Sequence, residues 1–153
     1  MDDKTNNQMP FYFQFFSEIG IIEQLSRAMM EARLPDGFLM THFTVLIHLE
    51  RVGDGRTPLA IASAFQVPKT SMTHTLAGLV KNGLVDMRPN PKDGRSKQVW
   101  LTDKGRQFRM EAIGRLSSDF AELKRIFPPE KIAPLLPVLA EIRAYLDQLR
   151  DKV

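Results

Sequence analysis

The spacing of apolar residues differs in one segment in the middle of this chain, and that difference limits the folds open to it. Up to Asn82, and again from Thr102, apolar side chains recur at steps of three and four, which is typical of amphipathic helices. Between these points, residues 84–88 and 98–101 have the pattern of short strands, and the polar, turn-forming segment 89–96 joins them. The sequence therefore predicts a mostly α-helical fold with one small β-hairpin, in the α+β class.

Two short helices joined by a tight turn are predicted just before the hairpin. They span 58–65 and 69–82, and Gly83 follows the second, where a left-handed helix end forms easily. Longer helices are predicted at 11–34 and 38–52, each followed by turn residues. This order predicts a helix-turn-helix followed by a hairpin.

The chain after the hairpin is predicted to be helical to near its end. Thr102 is a good N-cap for a helix whose apolar residues keep the three-and-four spacing as far as Phe127. A second, heptad-like apolar stripe follows in the last segment. Because proline removes a helical hydrogen bond, Pro134 and Pro137 predict a kink, with regular helix from about residue 137.

Positive charge is concentrated in the middle of the chain. The whole sequence has a formal net charge of +3, but residues 66–110 contain nine basic residues against three acidic ones, a net charge of +6. Such a basic segment is typical of a protein that binds a polyanion, although a solvated basic surface would give the same pattern. The chain has no cysteine, which excludes thiol catalysis, thiolate metal sites and disulfide switches.

The predicted helix 69–82 has the polarity of a recognition helix. Met72, Leu76 and Leu79 form one apolar face, while small hydroxyls, an imidazole and lysines occupy the rest of the surface. These groups suit the base edges in the major groove of DNA, although any solvated helix also has a polar face. The residues predicted to contact DNA from this helix are Lys69, Thr70, Ser71, Thr73, His74 and Lys81.

Basic residues also lie along the hairpin, where they can reach the phosphate backbone or a narrow minor groove. We predict DNA contacts from Arg88, Lys92, Arg95 and Lys97. Asp93 lies two residues before Arg95, and we expect its carboxylate to accept a hydrogen bond from the guanidinium and fix its direction. The alternative is an ordinary surface pair of little energetic consequence.

Neither a metal site nor an enzyme active site is predicted. His42 and His48 are six residues apart on one predicted helix, a poor arrangement for binding one metal ion, and His74 lies on another. The sequence has no Gly-x-Ser-x-Gly elbow, no Gly-rich phosphate loop and no His-Glu-x-x-His motif. Ser71 and His74 lack an evident third partner. We therefore expect no cofactor, no metal and no catalysis.

The motifs of the middle third resemble the MarR family of bacterial transcription regulators. They are the helix start at 69–76, Lys-Asn-Gly-Leu-Val at 81–85, Lys-Asp-Gly-Arg-Ser at 92–96, and Val-Trp-Leu-Thr-Asp-Lys-Gly at 99–105. An Asp-x-Arg wing tip with Leu-Thr-x-x-Gly at this distance is quite specific to that family. The flanking helices also match, so the resemblance extends over nearly the whole chain.

This resemblance implies one domain over 1–153, with a winged helix-turn-helix at 57–104, recognition helix 69–82 and wing 84–101. Helices 11–34 and 128–150 would pair two chains into a homodimer. The implied function is a sequence-specific regulator of transcription, a repressor or less often an activator, that binds double-stranded DNA at a pseudo-palindromic operator. A small aromatic or phenolic effector would modulate or release it.

Two other functions stay open at the level of the residues. The chain could be an α-helical protein that binds or transforms a small anion with its basic hairpin, or an interaction module that does not bind DNA. No segment reaches the roughly 18 apolar residues of a membrane span, and the first eight residues lack the layout of a signal peptide. We expect a cytoplasmic, nucleoid-associated protein with no membrane partner.

Overall fold

The computed structural model describes residues 8–150, and the chain divides into two compact units, Met1–Met40 and Thr41–Val153. Residues 1–7, from which we expected that the chain has no signal peptide, lie outside the described part, as do residues 151–153. In the first unit, helix α1 spans Met9–Glu31, so it begins and ends slightly before the predicted 11–34. Beyond its end, Oε1 of Glu31 accepts a hydrogen bond from the backbone N–H of Met40 at 2.7 Å.

The other elements follow in the predicted order, with helix α2 starting at the boundary between the units. They are α2 (Met40–Val52), α3 (Pro58–Ala64), α4 (Lys69–Lys81), β1 (Val85–Asn90), β2 (Asp93–Leu101), α5 (Asp103–Ile126), α6 (Pro129–Ile132) and α7 (Leu135–Arg150). β1 and β2 form a two-stranded antiparallel sheet. The predicted fold class, mostly α-helical with one hairpin, is confirmed.

An apolar core joins helices α2 to α5 and the inner face of the hairpin. Burying one such aliphatic side chain contributes about 1.5–3 kcal/mol relative to leaving it exposed. The predicted apolar face of α4 is confirmed, because Met72, Leu76 and Leu79 are all buried, and this burial decides which face of α4 points outward. The largest fully buried side chains are Leu46, Leu49, Ile61, Leu76, Leu79, Leu84 and Leu116.

The hairpin has a shorter tip than the sequence predicts. The sequence pattern places the turn at 89–96, but β1 continues to Asn90 and β2 begins at Asp93. The side chain of Asn90 explains the difference, because Nδ2 donates to Oγ of Ser96 at 2.8 Å and Oδ1 accepts the N–H of Lys92 at 3.0 Å. Polar residues that usually form turns thus hold the ends of the ladder together here.

The ends of the helices follow the sequence closely. Oγ1 of Thr102 accepts the N–H of Gly105 at 3.0 Å, as predicted for a cap, and Gly83 has the predicted left-handed conformation with a φ of 70°. The predicted irregularity near the end is a break between α6 and α7. Helix α7 begins at Leu135, two residues before the expected 137, because Pro137 falls in the first turn, where its missing N–H would have no partner.

Within residues 8–150, no helix combines the length and the apolar character needed to cross a membrane.

Candidate nucleic-acid interface

A tight turn between α3 and α4 builds the helix-turn-helix. Thr57 caps α3 through its hydroxyl, which accepts the N–H of Ala60 at 3.2 Å. After α3, Gln66 has a φ of 57°, an uncommon left-handed conformation for a residue with a side chain, and its Nε2 donates to the carbonyl of Ser63 at 3.1 Å. Sequence reasoning missed this role of Gln66, because no glycine or asparagine marks the position.

The outward face of α4 presents small and basic side chains to solvent. The six residues predicted to contact DNA from this helix are all exposed: Lys69, Thr70, Ser71, Thr73, His74 and Lys81. The hydroxyl of Thr73 donates to the carbonyl of Lys69 at 2.9 Å, which leaves its methyl group and its oxygen lone pairs for any outside partner. The face therefore has the exposure that contact with DNA requires.

A concave cleft of about 580 Å³ lies between α4 and the hairpin. It brings together two groups of predicted residues that are 20 or more positions apart in sequence, because the hairpin folds back beside the start of α4. Three cations and one carboxylate line it, so its charge is net positive. The predicted site residues in its lining are Lys69, Thr73, Asp93, Arg95 and Lys97, and Thr57, Pro58 and Leu59 come from the start of α3.

Asp93 contacts Arg95 differently from the prediction. Its Oδ1 accepts the backbone N–H of Arg95 at 3.0 Å, and within residues 8–150 no carboxylate lies within ion-pair distance of the Arg95 guanidinium. A carboxylate two residues before a backbone N–H commonly forms such a local turn. Asp93 thus shapes the wing tip through the main chain, and the exposed Arg95 and Lys92 side chains extend beside it.

Arg88 lies on the opposite face of the hairpin from the cleft. Successive side chains of a strand alternate between its faces, and the preceding Met87 lines the cleft. The guanidinium of Arg88 stacks over the ring of Trp100, 4.4 Å from the centroid, and Nη2 lies 3.7 Å from Oδ2 of Asp86. The structure therefore does not group Arg88 with the basic residues of the cleft.

A network of ion pairs fastens the hairpin to α2 and α5. Asp54 accepts hydrogen bonds from the backbone N–H of Leu101 and from Nη2 of Arg106, at 2.7 and 3.2 Å. Arg106 also pairs with Glu50, and Nη2 of Arg109 lies 3.8 Å from the same carboxylate. Sequence reasoning identified only the turn around Asp54, because nothing local indicates its distant partners.

The described residues bring no metal-binding cluster together: residues 8–150 contain no group of three His, Asp or Glu side chains that could hold an ion. His48 packs edge-on against the ring of Phe65, with centroids 5.2 Å apart. His42 faces Gly78 of α4, and His74 is exposed on the outward face of the same helix. The three imidazoles thus serve separate parts of the molecule.

A protein-family model described as the MarR family matches residues 36–96, which include the whole helix-turn-helix and the wing tip. Over residues 36–96 this chain is similar to the MarR family. This confirms the resemblance that the wing-tip residues 92–96 indicated. The matched range ends within β2, so the Leu-Thr-x-x-Gly residues at 101–105 lie just beyond it.

The MarR fold extends over most of the chain. The transcriptional regulator BldR from Sulfolobus solfataricus is similar with a TM-score of 0.76 and 24% identity, covering 95% of this chain and 99% of that one. A mutant of MarR from E. coli complexed with operator DNA has a TM-score of 0.75 and 24% identity, covering 92% and 99%. PcaV from Streptomyces coelicolor, in complex with its natural ligand, has a TM-score of 0.71 and 15% identity, covering 82% and 89%. At these identities the similarity establishes the fold.

Proposed function

We propose that this protein is a transcriptional regulator that binds double-stranded DNA at a specific operator and represses by occupying promoter DNA. The observation that carries the proposal is the positively charged cleft between α4 and the wing, set on a winged helix that is similar to the MarR family. A regulator of this fold has been solved with operator DNA, which supports the same use of this surface.

Helix α4 enters the major groove, and the wing tip follows the adjacent backbone. The width of the major groove admits one helix, and the exposed Thr70 and His74 meet the base edges there. Lys69, Arg95 and Lys97 neutralise phosphates on either side, which supplies most of the sequence-independent affinity. Arg88, stacked on Trp100, stiffens the wing instead of contacting DNA.

The active species is a homodimer formed through the N- and C-terminal helices, the segments predicted at 11–34 and 128–150. Phe13 of α1 is 69% exposed, and Leu135 and Tyr145 of α7 are 57% and 60% exposed in the single chain. Exposed apolar surface of this extent calls for a partner, and a two-fold dimer gives two half-sites about 10 bp apart. Sedimentation at several concentrations checks the dimer.

A small aromatic or phenolic molecule releases or modulates the DNA complex. The solved complex of PcaV with its natural ligand supports ligand control in this fold. Such an effector can change operator binding only as far as its affinity differs between the bound and free conformations. The chain itself is not an enzyme in this proposal, and its DNA partner gives it a cytoplasmic, nucleoid-associated location without a membrane partner.

Gel-shift titration against the DNA upstream of its own gene, at two salt concentrations, tests the proposal. We expect binding well above that of random duplex. Arg95→Ala should make the salt dependence shallower by about 0.9 for each lost phosphate contact, counted once per wing of the dimer. Arg125→Ala, which removes an exposed arginine from α5, is the matched control and should leave the slope unchanged.

Binding no better than random duplex would overturn the proposal. The rival hypothesis of a small-anion protein would then gain support if phosphate or a phenolic acid bound the free protein by calorimetry and Arg95→Ala removed that binding.

A further inference from the structure

We propose that the recognition helix α4 reads its operator mainly through the methyl groups of thymine. In this proposal Thr70, Thr73 and Ala77 contact thymine C5-methyl groups, and His74 supplies the hydrogen bond to a base edge. The inference rests on the DNA-binding function proposed above and specifies which sequences that function selects: half-sites with thymines at fixed positions.

Helix α4 lacks most of the side chains that usually hydrogen-bond to bases. Lys69–Lys81 contains no arginine, asparagine, glutamine, aspartate or glutamate. Those residue types make the main hydrogen-bonded contacts to bases in the major groove: arginine with guanine, asparagine and glutamine with adenine, and the carboxylates with cytosine. Lysine can also contact guanine, but Lys69 and Lys81 stand at the two ends of the helix. The middle of α4 therefore reads bases mostly without forked hydrogen bonds.

The remaining side chains of α4 differ in how directly they point away from the core. The buried residues Met72, Thr75, Leu76 and Leu79 define the core side of α4. At the angular step of an α-helix, four exposed residues lie within about 30° of the opposite direction. They are Thr70, His74, Ala77 and Lys81, whereas the exposed Thr73 lies about 70° from that direction, on the side of the cleft. The DNA contacts predicted from the sequence do not include Ala77, because polarity alone selects hydrogen-bonding side chains.

Ala77 and Thr73 both expose methyl groups and no free donor. Ala77 offers only a methyl group. Thr73 donates its hydroxyl proton to the carbonyl of Lys69 at 2.9 Å, so it has no proton left to donate to a base. The apolar group that base pairs display in the major groove is the thymine methyl, for which alanine and the threonine methyl are suitable partners.

Close approach makes such contacts effective. Ala77 gives the outward face of α4 little side-chain bulk at this point, so the backbone there can lie deep in the groove. Contacts between methyl groups depend on distance more steeply than charge contacts do, because dispersion attraction decays within about 1 Å of the optimal separation. A shallow helix with long side chains would read the same groove differently.

Uracil substitution tests the inference directly, because deoxyuridine lacks the C5-methyl group of thymidine and pairs identically. The operator is first located by footprinting, and each thymidine of a half-site is then replaced by deoxyuridine. We expect at least one position per half-site where binding weakens about fourfold, the factor for removing one buried methyl-sized group. Deoxyuridines outside the footprint are the control and should have no effect. 5-Bromodeoxyuridine, which restores bulk at C5, should restore affinity.

Protein variants assign the contacts to residues. Thr70→Ser and Thr73→Ser remove one methyl each and keep the hydroxyl, so each variant should lose its discrimination between thymidine and deoxyuridine at one position. Ala77→Gly should do the same at another, provided that circular dichroism shows an unchanged helix content. The serine variants keep the test valid if the glycine variant unfolds.

The outcomes separate this inference from the function on which it rests. Specific operator binding that is unchanged when every half-site thymidine becomes deoxyuridine would overturn methyl readout and leave the regulator function standing. Methyl readout is also overturned, and the regulator function again stands, if the serine and glycine variants all keep the full discrimination of the wild type. Failure to prefer any DNA over random duplex would overturn both.

Discussion

Asp54 fixes the last residue of the wing, since its Oδ1 accepts the backbone N–H of Leu101 at 2.7 Å. The other carboxylate oxygen accepts from Nη2 of Arg106 at 3.2 Å, so one side chain connects the turn after α2, the end of β2 and the start of α5. The wing tip carries Arg95, and its position relative to α4 depends on how firmly the base of the hairpin is held. The hydrogen bond between Asp54 and Leu101 therefore helps to position the proposed DNA-binding surface.

Asp54→Ala should lower the free energy of unfolding by about 1–3 kcal/mol, because it leaves a partly buried backbone N–H without a partner. Asp54→Asn should cost less, since an amide oxygen can still accept the Leu101 N–H although the charge is lost. Urea-induced unfolding measures both. Glu122→Ala breaks a fully exposed pair with Arg125 and should change nothing measurable. Equal effects at positions 54 and 122 would contradict the anchoring role.

Gly105→Ala should destabilise the protein by about 3 kcal/mol, near the upper end of what overpacking usually costs. A Cβ at this position would overlap the carbonyl oxygen of Leu84 and lie 2.8 Å from Cδ1 of Leu101. The carbonyl cannot move away freely, because it accepts the N–H of Thr102 at 3.2 Å. Thermal and urea unfolding give the measurement.

Gly114→Ala is the matched control for Gly105, since both glycines lie on α5 and a Cβ at Gly114 meets no atom within 4 Å. It should stabilise the protein by up to about 1 kcal/mol, the usual gain of alanine over glycine inside a helix. If both substitutions changed the free energy of unfolding in the same direction, crowding at Gly105 would not explain the effect of Gly105→Ala.

The contact between His42 and Gly78 predicts that Gly78→Ala changes the free energy of unfolding in opposite directions with and without the His42 ring. A Cβ on Gly78 would lie 2.8 Å from Nε2 of His42, so Gly78→Ala should lower the free energy of unfolding by about 1 kcal/mol despite the better helix propensity of alanine. In a His42→Ala background the ring is gone, and the same substitution should raise stability by up to about 1 kcal/mol. A double-mutant cycle by urea unfolding measures the coupling. Identical effects in the two backgrounds would exclude this contact as the determinant.

Local chemistry explains why much of the fold is predictable from the sequence. The cap formed by Thr102, the left-handed Gly83 and the buried face of α4 each depend on residues within one or two helical turns. The contact of Asp54 with Leu101 bridges 47 positions and has no local pattern, so only the folded chain reveals it.

The candidate site is less predictable because it depends on the hairpin register. With Pro89 opposite Lys97, Arg88 falls on the face away from the cleft. The sequence pattern instead indicates a long turn over 89–96. With such a turn, Arg88 and Lys97 would not lie in paired strands, and the sequence alone could not assign them to opposite faces of the hairpin. Ala77 is not predicted from the sequence for a different reason. Selecting residues by polarity finds side chains that hydrogen-bond to bases and leaves out those that contact bases through methyl groups.

His48 gives the molecule a pH dependence whose sign follows from its surroundings. Partial burial, then the charges of Arg51 and Arg56, lower its pKa from the usual 6.5. Nη2 of Arg51 lies 3.5 Å from Nδ1, a position that suits a neutral, accepting imidazole. The unfolded chain therefore binds a proton near pH 6.5 that the folded protein binds only at lower pH, so His48 lowers the free energy of unfolding as the pH falls from 7 toward 5. His48→Gln should make the free energy of unfolding depend less on pH between 7 and 5, as measured by urea unfolding at several pH values. Arg51→Gln should move the pKa of His48, monitored by NMR, back toward its usual value. If the free energy of unfolding of His48→Gln had the same pH dependence as that of the wild type, other groups would govern stability in this range, because the variant differs only in lacking the imidazole.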